Sequence, residues 1–282
     1  MQTHANFALE DSPRTADVLG IPVRCVDADR ALRLIETALE QTAVQNAPAQ
    51  EAYLGDPGRT TPLHVVTLNP EMIMQAQQDP ELDDILKTAG LSIPDGAGVV
   101  WALRRQGIAV QRLPGIELAE ALLARAAQRG WPVAFIGAQA ATLDAAIAAL
   151  STRYPGLAVA YAHHGFFSTD EEEAACAQAC ADARPKAVFV ALGAPRQEKW
   201  IRRHAGRFTP NTALLGVGGS LDVWSGLKRR APAVLRRLNL EWAYRIASEP
   251  WRLQRTYKTL PLFALKVLCY RGSCDAPASR PS

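Results

Sequence analysis

The sequence contains no run of about 18 apolar residues, so no membrane-spanning helix is expected. Residues Met1 to Thr15 lack a basic start followed by an apolar stretch. They do not read as a secretory signal, and their polar, Pro-containing character predicts a disordered lead-in over residues 1–17. Cysteine is sparse: Cys25, Cys176, Cys180, Cys269 and Cys274 are odd in number and scattered. No second pair or His cluster stands at metal-ligand spacing, so the thiols read as small buried or surface groups of a reducing cytoplasm. No metal site is expected. No Gly-x-Gly-x-x-Gly opens the first helix and no phosphate-loop Lys-Ser/Thr exists, which disfavours a standard NAD enzyme or kinase. Asp-x-Asp occurs only as Asp27-Ala28-Asp29, in a strand-to-helix turn where helix capping is the expected use.

What is present is a chain of 282 residues, 48% hydrophobic, enough for a substantial buried core. Its net charge of +3 hides a strong asymmetry. Residues 226–272 carry eleven Lys and Arg against Glu241 and Glu249, a surplus of nine, whereas the rest carries 20 basic against 26 acidic residues. The same segment holds six of the 19 aromatics, among them Trp242, Tyr244 and Trp251. A solvated helix face is one reading. No nucleic-acid module is recognisable, and none is expected as a partner. Interleaved Arg and Trp/Tyr suit anionic phosphates at a membrane surface.

Periodicity gives the fold class. Val18 to Val26 reads as extended, and Ala31–Leu39 as a helix. The polar stretch Gln41 to Pro62 reads as a long loop. Short strands are predicted at His64–Leu68, Leu91–Ile93, Val133–Ile136, Leu157–Tyr161, Ala187–Leu192 and Leu214–Val217. Helices are predicted between them at Glu71–Gln78, Pro80–Ala89, Gly98–Arg105, Ile116–Gln128, Ala141–Arg153, Glu171–Ala183 and Gln197–His204. The alternation predicts an α/β fold: a Rossmann-like parallel sheet with helices on both faces over residues 18–225. Leu235–Ala247 and Trp251–Cys269 read as the helices of a basic appendage over residues 226–272, with Pro261 inside the second. Residues 273–282 read as a flexible tail.

In an open parallel sheet, ligands collect beyond the carboxyl ends of the strands. The predicted strand ends carry Thr67 and Asn69, Asp95, Gly137, Gly193 with Pro195 and Gln197, and Gly218-Gly219. Each alone is what a turn needs; together they outline one rim. Asp95, between Pro94 and Gly96, is the most pointed. It can act as a base at a cleft or cap the helix near Gly98, and spacing alone leans to the cap. His163-His164, adjacent on a strand, face opposite sides and read as structural.

These features together resemble the WecG/TagA/CpsF glycosyltransferases. The likeness rests on ordered motifs: Thr67-Leu68-Asn69-Pro70-Glu71, Pro94-Asp95-Gly96, Arg112 with Gly115, Tyr154-Pro155-Gly156, and Gly193-Ala194-Pro195-Arg196-Gln197-Glu198-Lys199-Trp200. It continues through Gly216-Val217-Gly218-Gly219 with Asp222 and Gly226, Lys228-Arg229-Arg230-Ala231-Pro232, Leu240-Glu241-Trp242, Tyr244-Arg245 and Glu249-Pro250. The resemblance implies an inverting, metal-independent transferase without a cofactor. Its donor would be a UDP-sugar, of N-acetylmannosamine type or related, and its acceptor a polyprenyl-diphosphate-linked sugar for a cell-surface polymer. It further implies a cytoplasmic protein, peripheral at the inner face of the cell membrane. Asp95 would be the base, with Thr67 and Gln197 touching donor or acceptor. Asn69, Arg112, Gly137, Gly193, Pro195, Gly218, Gly219 and Asp222 would complete the binding site. Arg230, Arg245 and Arg252 would be the appendage's contribution. The family often has Thr where Pro114 stands and Asp where Glu117 stands. A non-catalytic nucleotide-sugar or polyanion-binding regulator of polymer synthesis is the rival expectation; it needs the pocket but not Asp95.

Overall fold

A computed structural model describes residues 14–40, 59–237, 241–248 and 251–270. Most of the expected lead-in and long loop, the Glu249-Pro250 junction and the expected tail lie outside the described residues. The chain begins with a hairpin of β1 (Thr15–Val18) and β2 (Ile21–Arg24), followed by α1 (Ala28–Glu40). The single extended run expected from Val18 is therefore two antiparallel strands, the first of which starts at Thr15, within residues 1–17. The reversal sits at Leu19-Gly20, both at positive φ (54° and 90°), as a two-residue hairpin turn requires. Asp17 braces it by accepting from the Gly20 N–H at 2.8 Å.

The body then runs β3 (Leu63–Leu68), α2 (Pro70–Ala76), α3 (Pro80–Thr88), β4 (Leu91–Pro94), α4 (Ala97–Arg105) and α5 (Gly115–Arg129). It continues as β5 (Val133–Gly137), α6 (Ala140–Arg153), β6 (Val159–His163), α7 (Asp170–Asp182), β7 (Ala187–Ala191), α8 (Arg196–His204), β8 (Ala213–Gly216) and α9 (Ser220–Trp224). Helix starts follow local chemistry. Asp27 Oδ1 accepts from Arg30 N at 2.7 Å, the capping use expected of the Asp-x-Asp. Asn69 and Asp79 cap α2 and α3, each followed by Pro in the first turn, and Thr169 caps α7.

Six strands form one sheet in the order β4-β3-β8-β7-β5-β6, every pair parallel. Period-two alternation sends successive side chains to opposite layers. Val133, Phe135, Phe189 and Leu215 enter the core under α1, α5, α6 and α9. Ala134, Ile136, Val188, Val190 and Leu214 enter the core that holds Cys176 and Cys180 of α7 and Trp200 of α8. Phe135 stacks on Phe189 at 5.3 Å, and Trp224 closes edge-on against both. The expected α/β sheet with helices on both faces is the observed one. Strand β6 lies two residues later than predicted.

The appendage comprises α10 (Ala233–Arg237), α11 (Glu241–Ser248) and α12 (Trp251–Cys269). Within the helix expected over Leu235–Ala247, residues 238–240 lie outside the described ones, with α10 before them and α11 after. Helix α12 docks on the body: Phe263 and Val267, four apart on one face, are buried in the core shared with α2 and α4. Phe263 reaches the start of α4, where a Cβ at Gly98 would lie 3.3 Å from its ring. No helix among the described residues is long and apolar enough to cross a membrane.

Candidate active site

The four adjacent strands β4, β3, β8 and β7 end in one cleft of about 690 Å³. Strand β3 delivers Thr67, Asn69 and the start of α2 with Glu71 and Met72. Strand β4 delivers Asp95, β7 delivers Gly193 and Ala194 with Gln197 behind them, and β8 delivers Gly216 to Ser220. The segment Leu227 to Ala231 and the first turns of α11, through Glu241 and Tyr244, close the opposite side. The wall thus combines carboxylates from the body with Lys228, Arg229 and Arg230 from the appendage.

Close approach of backbone sets this geometry. The Asp95 and Gly96 N–H groups both donate to Leu68 O, at 3.0 and 3.3 Å, which ties the end of β4 to the end of β3. A Cβ at Gly96 would meet Pro70 Cδ at 2.5 Å, so only Gly lets these two turns pack. The N-cap position of α4 is Gly96, so Asp95 stands one residue before the cap rather than at it. Thr67 is fixed by Gly115, where a Cβ would lie 2.6 Å from Thr67 Cγ2.

Gln197 and Glu198, in the first turn of α8, are almost fully buried, at 4% and 1% exposure. Gln197 Oε1 accepts from Gly218 N at 3.0 Å, and its Nε2 donates to Glu198 Oε1 at 2.8 Å. Burial pushes the Glu198 carboxyl up to about 7, against the downward pull of the Gln197 hydrogen bond. Trp200 is in the core.

Among the expected site residues, Asp95, Thr67, Gln197, Asn69, Gly193, Gly218, Gly219 and Arg230 share the cleft wall. Four others do not line it. Gly137 ends β5, outside the four strands that form the cleft; its φ of 130° and a Cβ that would lie 2.4 Å from Ala191 O make it a packing glycine. Pro195 is the N-cap residue of α8, and Ala194 takes its place on the wall. Asp222 stands behind the wall and holds Lys228 at 2.9 Å. Arg112 pairs with Glu241 at 2.7 Å, with side chains only 11% and 8% exposed, and so joins the body to α11. Arg245 and Arg252 stand on α11 and α12; their side chains lie outside the described residues.

Glu117 accepts from both Arg230, at 2.9 Å, and Arg236, at 3.2 Å, a second tie between body and appendage. Sequence reading did not single out Glu241 and Tyr244, which line the cleft, or Glu198, which lies behind Gln197. Glu198, Glu241 and Tyr244 fall inside the motifs that carry the resemblance, which was the available signal. His163 and His164 do not face opposite sides: β6 ends at His163, and the two rings lie 4.4 Å apart. Among the described residues no group of His, Cys, Asp and Glu is arranged to hold a metal ion.

Comparison with known proteins decides the family. The profile of the glycosyl transferase WecG/TagA/CpsF family matches residues 16–275. The chain belongs to that family. It is a glycosyltransferase, as its relatives are. It is 37% identical over 210 residues, 74% of this chain and 80% of the relative, to the N-acetylglucosaminyldiphosphoundecaprenol N-acetyl-beta-D-mannosaminyltransferase of Staphylococcus aureus strain MW2. The protein of the same name from strain NCTC 8325 / PS 47 matches with the same identity and coverage. The rival of a non-catalytic binding protein loses its ground, because these relatives are named for transfer. The cleft of this WecG/TagA/CpsF member lies where a doubly wound sheet holds ligands.

Proposed function

We propose that this glycosyltransferase moves N-acetylmannosamine, or a closely related sugar, from a UDP donor to a polyprenyl-diphosphate-linked N-acetylglucosamine. The acceptor and the transferred sugar are those in the names of its relatives. The observation that carries the mechanism is Asp95 at the end of β4, in one cleft with the cationic run Lys228, Arg229 and Arg230.

In this reading the Asp95 carboxylate takes the proton of the acceptor hydroxyl as that oxygen attacks the anomeric carbon. The bond from that carbon to the β-phosphate oxygen breaks, and UDP departs with the electron pair. One displacement inverts the anomeric centre, in keeping with the β linkage in the relatives' names. A positioned base contributes about 10²–10⁴-fold. Negative charge grows on the β-phosphate as the bond breaks, and preorganised cations are its natural stabilisers. Lys228, Arg229 and Arg230 supply them from the protein itself, which supports transfer without a metal. Thr67, Asn69, Gly193, Gly218 and Gly219 shape the donor and acceptor seats, and Gln197 presents its amide to them.

The appendage gives the chain a membrane-facing surface. Leu262, Leu265 and Leu268 of α12 are 42%, 58% and 50% exposed, and Trp242 of α11 is 49% exposed. Apolar side chains on a segment with a surplus of nine positive charges suit peripheral docking on an anionic leaflet, where the lipid-linked acceptor resides.

The test is UDP release from a panel of UDP-sugars with a short-chain prenyl-diphosphate N-acetylglucosamine. UDP-N-acetylmannosamine should support turnover, with a β-linked product by NMR and no loss on adding EDTA. Donor hydrolysis without transfer, or an α-linked product, would overturn the reading.

A further inference from the structure

The pair Gln197–Glu198 stands out among buried polar groups because the proposed chemistry uses only its first member. We infer that Glu198 is a positioning residue, which fixes the Gln197 amide in one orientation against the Gly216–Gly218 turn and so sets what that amide offers to the cleft. The inference rests on the transfer reading above and goes beyond it.

Three contacts carry it. Glu198 Oε1 accepts from Gln197 Nε2 at 2.8 Å. Gln197 Oε1 accepts from Gly218 N at 3.0 Å. Gly216 seals the third side, since a Cβ there would come within 2.5 Å of Gln197 Nε2 and 2.9 Å of Glu198 Oε1. Turned over, the amide would set its NH2 against the Gly218 N–H and lose that acceptor. Both residues are buried, so water cannot replace a lost partner, and an unmet donor costs more than the bond returns.

The arrangement spends one Nε2 hydrogen on Glu198 and leaves the second for whatever occupies the cleft that Gln197 lines. The same strut links the β7–α8 turn to the β8–α9 turn, two of the four strand ends that form the cleft. Glu198 needs only to accept here. Its other oxygen, Oε2, is buried without a hydrogen-bond partner, which suits a neutral carboxyl. Burial raises this carboxyl to about 7, so it can accept here while carrying less charge behind the donor seat than an ordinary glutamate.

The experiment compares turnover of wild type, Glu198→Gln, Glu198→Leu, Gln197→Ala and the double variant Gln197→Ala/Glu198→Leu with UDP-N-acetylmannosamine and the short-chain acceptor. Gln at 198 keeps an acceptor oxygen, so E198Q should stay within about threefold of wild type. E198L should fall by about 10–100-fold, the scale of an ångström-sized misplacement. The double variant should fall no further than Q197A alone, because Glu198 acts through Gln197. Where E198L fails to fold, Gly216→Ala gives the second route: it displaces the same amide with Glu198 intact and should show the same loss. Wild-type turnover in E198L or G216A, equal losses in E198Q and E198L, or fully additive losses in the double variant would each overturn the inference. If wild type itself transfers no sugar, the functional reading fails separately. The side-chain NH2 resonances of Gln197 then decide the positioning claim: a single slowly exchanging pair in wild type, lost in E198L, upholds it, and identical spectra overturn it.

Discussion

Replacing Glu241 by Leu should release α11 from the cleft while leaving the α/β body folded. Glu241 and Arg112 meet at 2.7 Å with side chains 8% and 11% exposed, so this is a nearly buried pair. Removing one partner of such a pair costs about 3–5 kcal/mol, because the remaining charge stays desolvated. Water reaches about a tenth of each side chain, which puts the cost near the lower end, about 3 kcal/mol. The ties from Glu117 to Arg230 and Arg236 cannot replace it; Glu117 is 43% exposed, and exposed pairs give about 0–1 kcal/mol. At about 1.4 kcal/mol per tenfold, the docking equilibrium constant of α11 should fall about 100-fold. Hydrogen exchange reads this directly. Amides of α11 should exchange about 100-fold faster, while those of β7 and β8 keep their protection. The double variant Arg112→Met/Glu241→Leu should restore slow exchange, since an apolar pair of similar size carries no desolvation cost. Unchanged α11 exchange in E241L, or equal acceleration in β8, would refute the latch.

Two further outcomes follow from the same structure. Folded Glu198 keeps its proton up to about pH 7, whereas the unfolded chain releases it near pH 4.5, as an ordinary glutamate does. Between these values the folded state binds more protons, so stability should fall as pH rises, by about 3 kcal/mol in all. Urea unfolding of E198Q should lack that decline, and a parallel decline in E198Q would remove Glu198 as its source. Changing Leu262, Leu265 and Leu268 together to Ser should weaken binding to anionic phospholipid vesicles about 100-fold, at about 1 kcal/mol for each half-exposed leucine. Sedimentation with vesicles unchanged in that variant would exclude α12 as the docking face.

The sheet and its helices were legible because their signals are local. Apolar runs such as Ala187–Ala191 are strands buried on both faces, and Asn69-Pro70, Asp79-Pro80 and Thr169 mark helix starts by side-chain capping alone. The hairpin at Leu19-Gly20 was not legible, since a leucine at positive φ contradicts its own preference and is imposed by the packing of Val18 and Ile21. The rim of Thr67, Asp95, Gln197 and Gly218 could be read because a parallel sheet brings strand ends together. Gly137 does not line the cleft because its strand lies beyond that group, and a glycine at a strand end serves close packing as readily as a ligand. Arg112, Glu117 and Glu241 depend on how the appendage seats on the body, a contact between residues 129 positions apart in one case. Periodicity has no access to such a contact. The burial of Glu198 is of the same kind: the sequence shows a charged residue on a short helix, and only the approach of Gly216 reveals it as part of the interior.

Transfer by Asp95→Asn at saturating UDP-N-acetylmannosamine, with UDP binding measured alongside by calorimetry, tests the central claim most directly. Asparagine keeps the shape but cannot take the acceptor's proton, so turnover should fall by about 10²–10⁴-fold with UDP affinity retained. Full turnover by D95N would contradict the assignment of the base and, with it, the mechanism.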